Sequence, residues 1–345
     1  MSETEFPFIS VIMPIRNEAL FIRESLGAVL GQDYPKDRFE VLVADGVSDD
    51  GTRNIIEELK KANENLHIVD NPLRIVPTGF NAALELAKGE IIVRIDGHTI
   101  VAQDFLRCNV KLMNEHPEAW STGGPIVHLA KTNFGKAVAV AMSHKLGVGN
   151  ASHHFLNYEG YGEGVPFPAI RRWVFDRVGN FDESLVRNQD DEFNFRMTKA
   201  GGKVFISPKV KYTYFVRENI RQLFRQYFQY GFWRIPVIKK HKQPTTLRQT
   251  IPMLFYLGSF LLFLISIVLK QLIIAFALPL VYFFALLVCA IQVLPNVGVK
   301  IACRVPLAIA TLHTGYAFGM MYGFWSSVFN RDAWNVSGRV SSLSR

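Results

Sequence analysis

Two uncharged runs constrain this chain more than any other feature. "IPMLFYLGSFLLFLISIVL" (251–269) and "LIIAFALPLVYFFALLVCAIQVL" (272–294) contain no charge, and about 20 such residues suffice to cross a bilayer. A core helix of a water-soluble domain rarely runs so far without a charge, so both are expected to span a membrane. "VPLAIATLHTGYAFGMMYGFWSSVF" (305–329) is long enough for a third span, but His313 and several glycines weaken it. The expected organisation is a globular domain over 1–215, a basic amphipathic segment over 216–250, two to three transmembrane helices over 251–329, and a polar tail over 330–345.

The N-terminus, "MSETEFPF", has neither a basic n-region nor an apolar h-region, so no cleavable signal is expected and the globular part should stay in the cytosol. Three scattered cysteines offer neither a disulfide framework nor zinc spacing. Charge is concentrated in one place. Between Lys199 and Arg248, twelve Lys and Arg stand against one acid, Glu218, whereas the whole chain carries only +8. A protein that grips nucleic acid would not confine its charge to the approach to a membrane span. Cations next to a span mark its cytosolic side and attract anionic headgroups. Membrane lipids are therefore expected partners and nucleic acid is not; the expected location is the inner (plasma) membrane, multi-pass, with the globular domain in the cytosol. Ile220, Leu223, Phe224, Tyr227, Phe228 and Gly231 recur at helical spacing with Arg221 and Arg225 opposite, the pattern of a helix lying in the membrane interface.

The first hundred residues alternate strand and helix signals. "FISVIMP", "FEVLVAD", "LHIV" and "EIIVRI" read as strands, separated by "EALFIRESLGAVLGQ", "TRNIIEELKKAN" and "TGFNAALELAKG" as helices. The pattern predicts an α/β fold with a mostly parallel central sheet and helices on both faces. Such sheets bind ligands beyond the carboxyl ends of their strands. Those ends carry Arg16-Asn17-Glu18, Asp45-Gly46, Asp70-Asn71 and Asp96-Gly97-His98. No G-x-x-x-x-G-K-[ST] occurs, and "GVGNAS" (147–152) is a poor match to G-x-G-x-x-G.

Asp45 can accept the imide N–H of a uracil or thymine ring or simply form a turn. Asp96 and His98 flank one glycine, so both can aim to one side and hold Mg²⁺ or Mn²⁺ bound mainly to diphosphate. "RNQDDEFNFRMTKAGG" (187–202) puts Asp190, Asp191 and Glu192 in the first turn of a helix. There they favour the dipole, or one of them serves as general base toward a sugar hydroxyl. Arg171 and Arg172 are read as reaching toward acceptor or phosphate, or as a solvated face.

Taken as an ordered set, these residues resemble the family-2 glycosyltransferases, nucleotide-diphospho-sugar transferases of GT-A fold. The closest likeness is to membrane-anchored bacterial members that build exopolysaccharides such as succinoglycan. The similarity runs from about Phe8 to Arg234 and on into the apolar tail. "VIMPIRNE" matches the opening strand and its nucleotide-side loop, which implies donor contacts from Pro14, Arg16 and Glu18. "VLVADGVSDDGT" implies that Asp45 contacts uracil. "RIDGHT" occupies the Asp-x-Asp metal position, so the resemblance implies metal and donor binding at Asp96 and metal binding at His98, with His98 in place of the second aspartate. "NQDDEFNFR" makes Asp190 the implied base. "RQYFQYGFWR" is similar to the acceptor-side Gln-x-x-Arg-Trp region and implicates Gln226, Trp233 and Arg234. The resemblance implies an inverting, metal-dependent glycosyltransferase that moves a sugar from a UDP-sugar to a polyprenyl-diphosphate-linked glycan acceptor. The competing reading is a non-catalytic membrane scaffold that retains a sugar-nucleotide-binding domain.

Overall fold

The computed structural model describes residues 6–244, 246–329 and Trp334; the expected polar tail, Trp334 apart, lies outside the described residues. In chain order the elements begin β1 (Ile9–Ile15), α1 (Ile22–Leu30), β2 (Phe39–Asp45), α2 (Thr52–Lys60), β3 (Leu66–Asp70) and α3 (Val76–Leu86). Next come β4 (Ile91–Arg94), β5 (Thr99–Val101), α4 (Phe105–Glu115), β6 (Ala119–Gly123), β7 (Val127–Leu129), α5 (Asn133–Ala141) and α6 (Lys145–Val148). They continue with β8 (Gly160–Gly162), β9 (Ala169–Arg171), α7 (Trp173–Val178), α8 (Gln189–Lys199), β10 (Lys203–Ile206) and β11 (Tyr212–Phe215). The last helices are α9 (Ile220–His241), α10 (Ile251–Val268), α11 (Ile273–Val297), α12 (Val299–Ala302) and α13 (Val305–Phe329). The described residues form two compact units: 6–127 with Ala151–Phe215, and His128–Asn150 with 216–329 and Trp334.

The first unit is built on an eight-stranded sheet of order β3-β2-β1-β4-β9-β6-β10-β8. β3, β2, β1 and β4 are parallel, β9 runs against both β4 and β6, and β8 runs against β10. Alternation within each strand divides the apolar residues between two cores. Val11, Met13, Val41 and Val93 pack with Leu26 of α1, Ile56 of α2 and Phe105 of α4 on one face. Ile12, Leu42 and Ile92 pack with Phe80 of α3 and Phe193 and Met197 of α8 on the other. Both faces are covered, so the parallel strands read as nearly continuous apolar runs.

The second unit is helical. α9 and α13 approach until backbone meets backbone: a Cβ at Gly231 would lie 2.0 Å from the Tyr316 carbonyl oxygen, and one at Gly319 would lie 2.1 Å from that of Phe228. Only glycine permits that spacing. The amphipathic helix therefore buries Leu223, Gly231, Phe232 and Trp233.

Two helical stretches, Leu247–Val268 and Ile273–Val297, are long and apolar enough to cross a membrane, and only 6% and 17% of their most apolar windows are buried. Core helices of a soluble protein would be mostly covered. The expected third span does not join them. α13 forms, but its polar and small residues serve internal contacts: Thr314 pairs with Tyr256, His313 with Tyr282, and the glycines with α9.

Candidate active site

Parallel pairing brings the first three strand ends level. Ile15 lies opposite Asp45, and Asp45 opposite Asp70. The loops after β1 and β2 are then tied together by short polar side chains. Asn17 Nδ2 donates to Asp49 Oδ1 at 2.9 Å, and Asp49 N donates back to Asn17 Oδ1 at 3.1 Å. The Glu18 amide donates to Thr52 Oγ1 at 2.8 Å and the Ala19 amide to Asp50 Oδ2 at 3.1 Å. Ser, Asp and Asn capture amides in this way when a turn leaves the ladder. Pro14 stands opposite Ala44 in β1, and Arg16 lies against Gly46, where an added Cβ would come 3.2 Å from the Arg16 Cβ.

Asp45 is 3% exposed. Its Oδ1 accepts from the Ser48 hydroxyl at 2.6 Å and the Ser48 amide at 3.2 Å, while its Oδ2 lies 3.4 Å from Arg53 Nη1. Arg53 makes its shorter bond, 2.8 Å, to Asp70. That hydrogen bond is the main reason its guanidinium pKa is raised.

The Asp96-Gly97-His98 turn sits directly on the first loop. A Cβ at Gly97 would fall 2.8 Å from Glu18 Cγ and 2.9 Å from Ile15 Cγ2, so this closeness requires glycine. From α1, Ser25 Oγ fixes the turn by donating to the Thr99 carbonyl at 2.7 Å. His98 Nδ1 lies 3.1 Å from Glu18 Oε1. A carboxylate only accepts, so Nδ1 carries a proton, and in the neutral ring Nε2 holds the lone pair. The ring also lies 5.4 Å from that of Tyr214 on β11. The Glu18 carboxylate, expected at the nucleotide, thus faces His98.

Arg94 joins the two halves of the site and was not foreseen. It is 4% exposed at the end of β4. Its Nη2 donates to Asp96 Oδ1 at 2.9 Å and its Nη1 to Asp190 Oδ2 at 3.3 Å. Burial works against its charge, but the two carboxylates outweigh burial and raise its pKa. A lone arginine inside "IIVRI" is the signal that marks it, since a buried guanidinium demands acidic partners.

Asn188, with φ of 61°, turns the chain into α8 and presents Asp190 in the first turn. The three acids there separate by task. Glu192, fully buried, holds Arg196 at 2.9 Å, and Arg196 in turn donates to the carbonyls of Val178, Gly179 and Asn180. Glu192 is therefore a structural anchor. Asp190, with 38% of its side chain exposed, shares Arg94 with Asp96.

Arg171 and Arg172 do not belong to this group. β9 is antiparallel, so Arg171 pairs with Ile91 at the start of β4, the far end from Asp96. Arg171 donates to the Ala119 and Met113 carbonyls at 2.9 Å, and Arg172 to that of Ala87. Both satisfy backbone ends that helices and strands leave open. The acceptor-side expectation for this pair is corrected accordingly. Gln226, Trp233 and Arg234 lie within α9 of the helical unit. Gln226 Nε2 donates to Tyr230 Oη at 3.1 Å, and Trp233 and Arg234 are 2% and 3% exposed.

The family described as Glycosyl transferase family 2 matches residues 10–177. The chain is 33% identical to the succinoglycan biosynthesis protein ExoA of Rhizobium meliloti over 250 residues, covering 70% of this chain and 74% of that one. It is 28% identical over 323 residues to the dolichyl N-acetyl-alpha-D-glucosaminyl phosphate 3-beta-D-2,3-diacetamido-2,3-dideoxy-beta-D-glucuronosyltransferase of Methanococcus voltae, covering 92% and 97%. Its fold is similar to that of the mannosyltransferase PcManGT from Pyrobaculum calidifontis, solved with GDP-Man and Mn²⁺, with a TM-score of 0.56, 21% identity, and coverage of 93% and 88%. It is also similar to residues 1–349 of S. aureus TarS, solved with UDP-GlcNAc, with a TM-score of 0.51, 19% identity, and coverage of 89% and 92%. The chain has a GT-A fold and belongs to glycosyl transferase family 2, which makes it a glycosyltransferase.

Proposed function

We propose that the protein is an inverting, divalent-cation-dependent glycosyltransferase that moves a sugar from a UDP-sugar to a lipid-linked glycan acceptor. One observation carries the reading: a single buried guanidinium holds both Asp96 and Asp190, so the carboxylate on the leaving-group side and the base share one cleft. The glycan-building and lipid-linked transferases similar to this chain support the acceptor class.

The donor is held at the strand mouths. Pro14, Arg16 and the Asp45 side of the cleft face the nucleotide. Asp45 exchanges its long contact with Arg53 for the imide N–H of uracil. The site's donor set fits a divalent cation. The Glu18 contact fixes His98 with Nε2 as the ligating nitrogen, the usual arrangement of a carboxylate behind a metal-binding imidazole. Among the described residues no group of three or more His, Cys, Asp or Glu forms a metal cage. Asp96 and His98 would supply two ligands, leaving the rest to phosphate and water, as suits Mg²⁺ or Mn²⁺. Bound there, the cation neutralises charge that builds on the departing diphosphate.

Asp190 takes the proton of the acceptor hydroxyl as that oxygen bonds to the anomeric carbon. The bond from the anomeric carbon to the diphosphate breaks on the opposite face, UDP leaves, and configuration inverts. Such a base contributes about 10²–10⁴ in rate. Arg94 orients both carboxylates through their shared contact. The two apolar helices support a site at the inner membrane, with the catalytic unit cytosolic and the acceptor lipid in the bilayer. The test is UDP release from a panel of UDP-sugars by purified full-length protein with native membranes. Release that needs Mg²⁺ or Mn²⁺, with transfer into a lipid-extractable product of inverted linkage, is expected. Equal release after chelation contradicts the cation requirement.

A further inference from the structure

Residues 128–150 leave the sheet unit between β6 and β8 and pack with the helices of the second unit. Nothing in the transfer chemistry calls for that excursion. The segment is apolar along "FGKAVAVAMSHKLGV", interrupted only by Lys136, Ser143, His144 and Lys145. α5 buries Gly135, Ala137, Val138 and Ala141 within the unit. α6, with its N-cap His144, is fastened by side chains of the apolar helix α11 and of α13. His144 Nδ1 lies 3.4 Å from Cys289 Sγ, and His144 Nε2 lies 3.3 Å from Gln292 Oε1. His313 accepts from Tyr282 Oη at 2.8 Å through Nδ1 and donates from Nε2 to the Gly147 carbonyl at 3.1 Å. Polar side chains on an otherwise apolar span need internal partners; here Cys289 and Gln292 find theirs in His144, which caps α6.

The charge of this unit is as one-sided as its packing. Its described residues include fourteen Lys and Arg and a single acid, Glu218. Glu218 itself is occupied within the unit: it accepts the Lys131 amide at 2.7 Å, the Thr132 amide at 2.9 Å and the Thr132 hydroxyl. Lys131, Lys136 and Lys145 are exposed along the segment. Lysines on an apolar helix keep their heads at the headgroups while their stems lie along acyl chains.

We infer that residues 131–148 form a membrane-embedded insert in the leaflet nearest Arg248, Lys300 and Arg304, with an anionic phospholipid surface as partner. α5 and α6 dip into that leaflet beside α11 and α13, and the three lysines bind lipid phosphates. α5, with nine residues, rises about 14 Å, roughly half the hydrocarbon core. It enters one leaflet and does not cross. The inference rests on the membrane placement proposed above.

The experiment uses full-length protein reconstituted in vesicles of phosphatidylethanolamine and phosphatidylglycerol, with Cys108→Ser and Cys303→Ser and buried Cys289 retained. Single spin labels are placed through Val140→Cys and Leu146→Cys, with Phe263→Cys on α10 as the lipid reference and Tyr161→Cys on β8 as the aqueous reference. Labels at 140 and 146 are expected to collide with dissolved oxygen more than with a water-soluble nickel chelate, as at 263. Nickel collision like that at 161, with 263 still lipid-facing, overturns the insert alone. An aqueous signal at 263 overturns the membrane placement beneath it. Exchanging phosphatidylglycerol for phosphatidylcholine is expected to raise nickel collision at 140 about twofold; no change overturns the anionic-lipid part.

Discussion

The two units treat charge in opposite ways. At the mouth of the sheet, Asp96 and Asp190 share the single buried Arg94 and Glu18 faces His98, leaving an excess of negative charge for a cation to complete. Among the described residues of the helical unit, one acid stands among fourteen cations and is tied to backbone amides. The first arrangement suits a diphosphate that arrives with its metal. The second suits a surface that already carries phosphate. For the proposed function, segregating charge in this way would let one chain meet a soluble donor and a lipid-borne acceptor without either site competing for the other's ligand.

The comparison can be broken at four places. The largest effect is expected in the helical unit. Gly319→Leu drives a side chain into the Phe228 carbonyl, at a cost of about 3 kcal/mol or more. A thermal melt in detergent should show the loss, and an unchanged midpoint contradicts the close α9–α13 packing. At the sheet mouth, Asp96→Asn is expected to weaken Mn²⁺-dependent UDP binding about a hundredfold, or about 2.7 kcal/mol, measured by calorimetry. Arg94→Met leaves two acids without their common partner. Because Asp190 has 38% of its side chain exposed, the loss is expected near about 2 kcal/mol, below the 3–5 typical of fully buried pairs. Denaturant unfolding reads that loss.

The smallest effect belongs to Glu218. Burial pushes its pKa up, but hydrogen bonds from Lys131 and Thr132 outweigh that and leave it lowered. A depressed carboxylate stabilises above its ordinary value of 4.5, and that stability is lost as pH falls through the folded value. Glu218→Gln should therefore cost about 1 kcal/mol at neutral pH. The gap from wild type should close in acid, seen as converging melts.

Much of the first unit was legible. β1 to β4 with α1 to α3 emerge from the sequence because buried parallel strands write continuous apolar runs and the helices between them keep their own period. The sequence singled out Asp96 and His98 by their place at a strand mouth and Asp190 by its place in the first turn of a helix, and the structure brings Asp96 and Asp190 to one arginine and His98 to Glu18. Arg94 was missed because one charge inside a strand looks like noise until its two partners, one of them 96 residues away, are placed. Arg171 and Arg172 were misplaced because sequence does not reveal that β9 runs antiparallel. The excursion of 128–150 was invisible for a similar reason. "AVAVAM" is too short to signal a membrane, and its place depends on contacts with helices far along the chain.

The direct test of the central claim is Asp190→Asn, assayed for both donor affinity and turnover. If Asp190 is the base in a cleft shared with Asp96, UDP-sugar affinity stays near wild type while kcat falls about a hundredfold or more. Turnover within tenfold of wild type, or donor affinity lost in step with turnover, contradicts it.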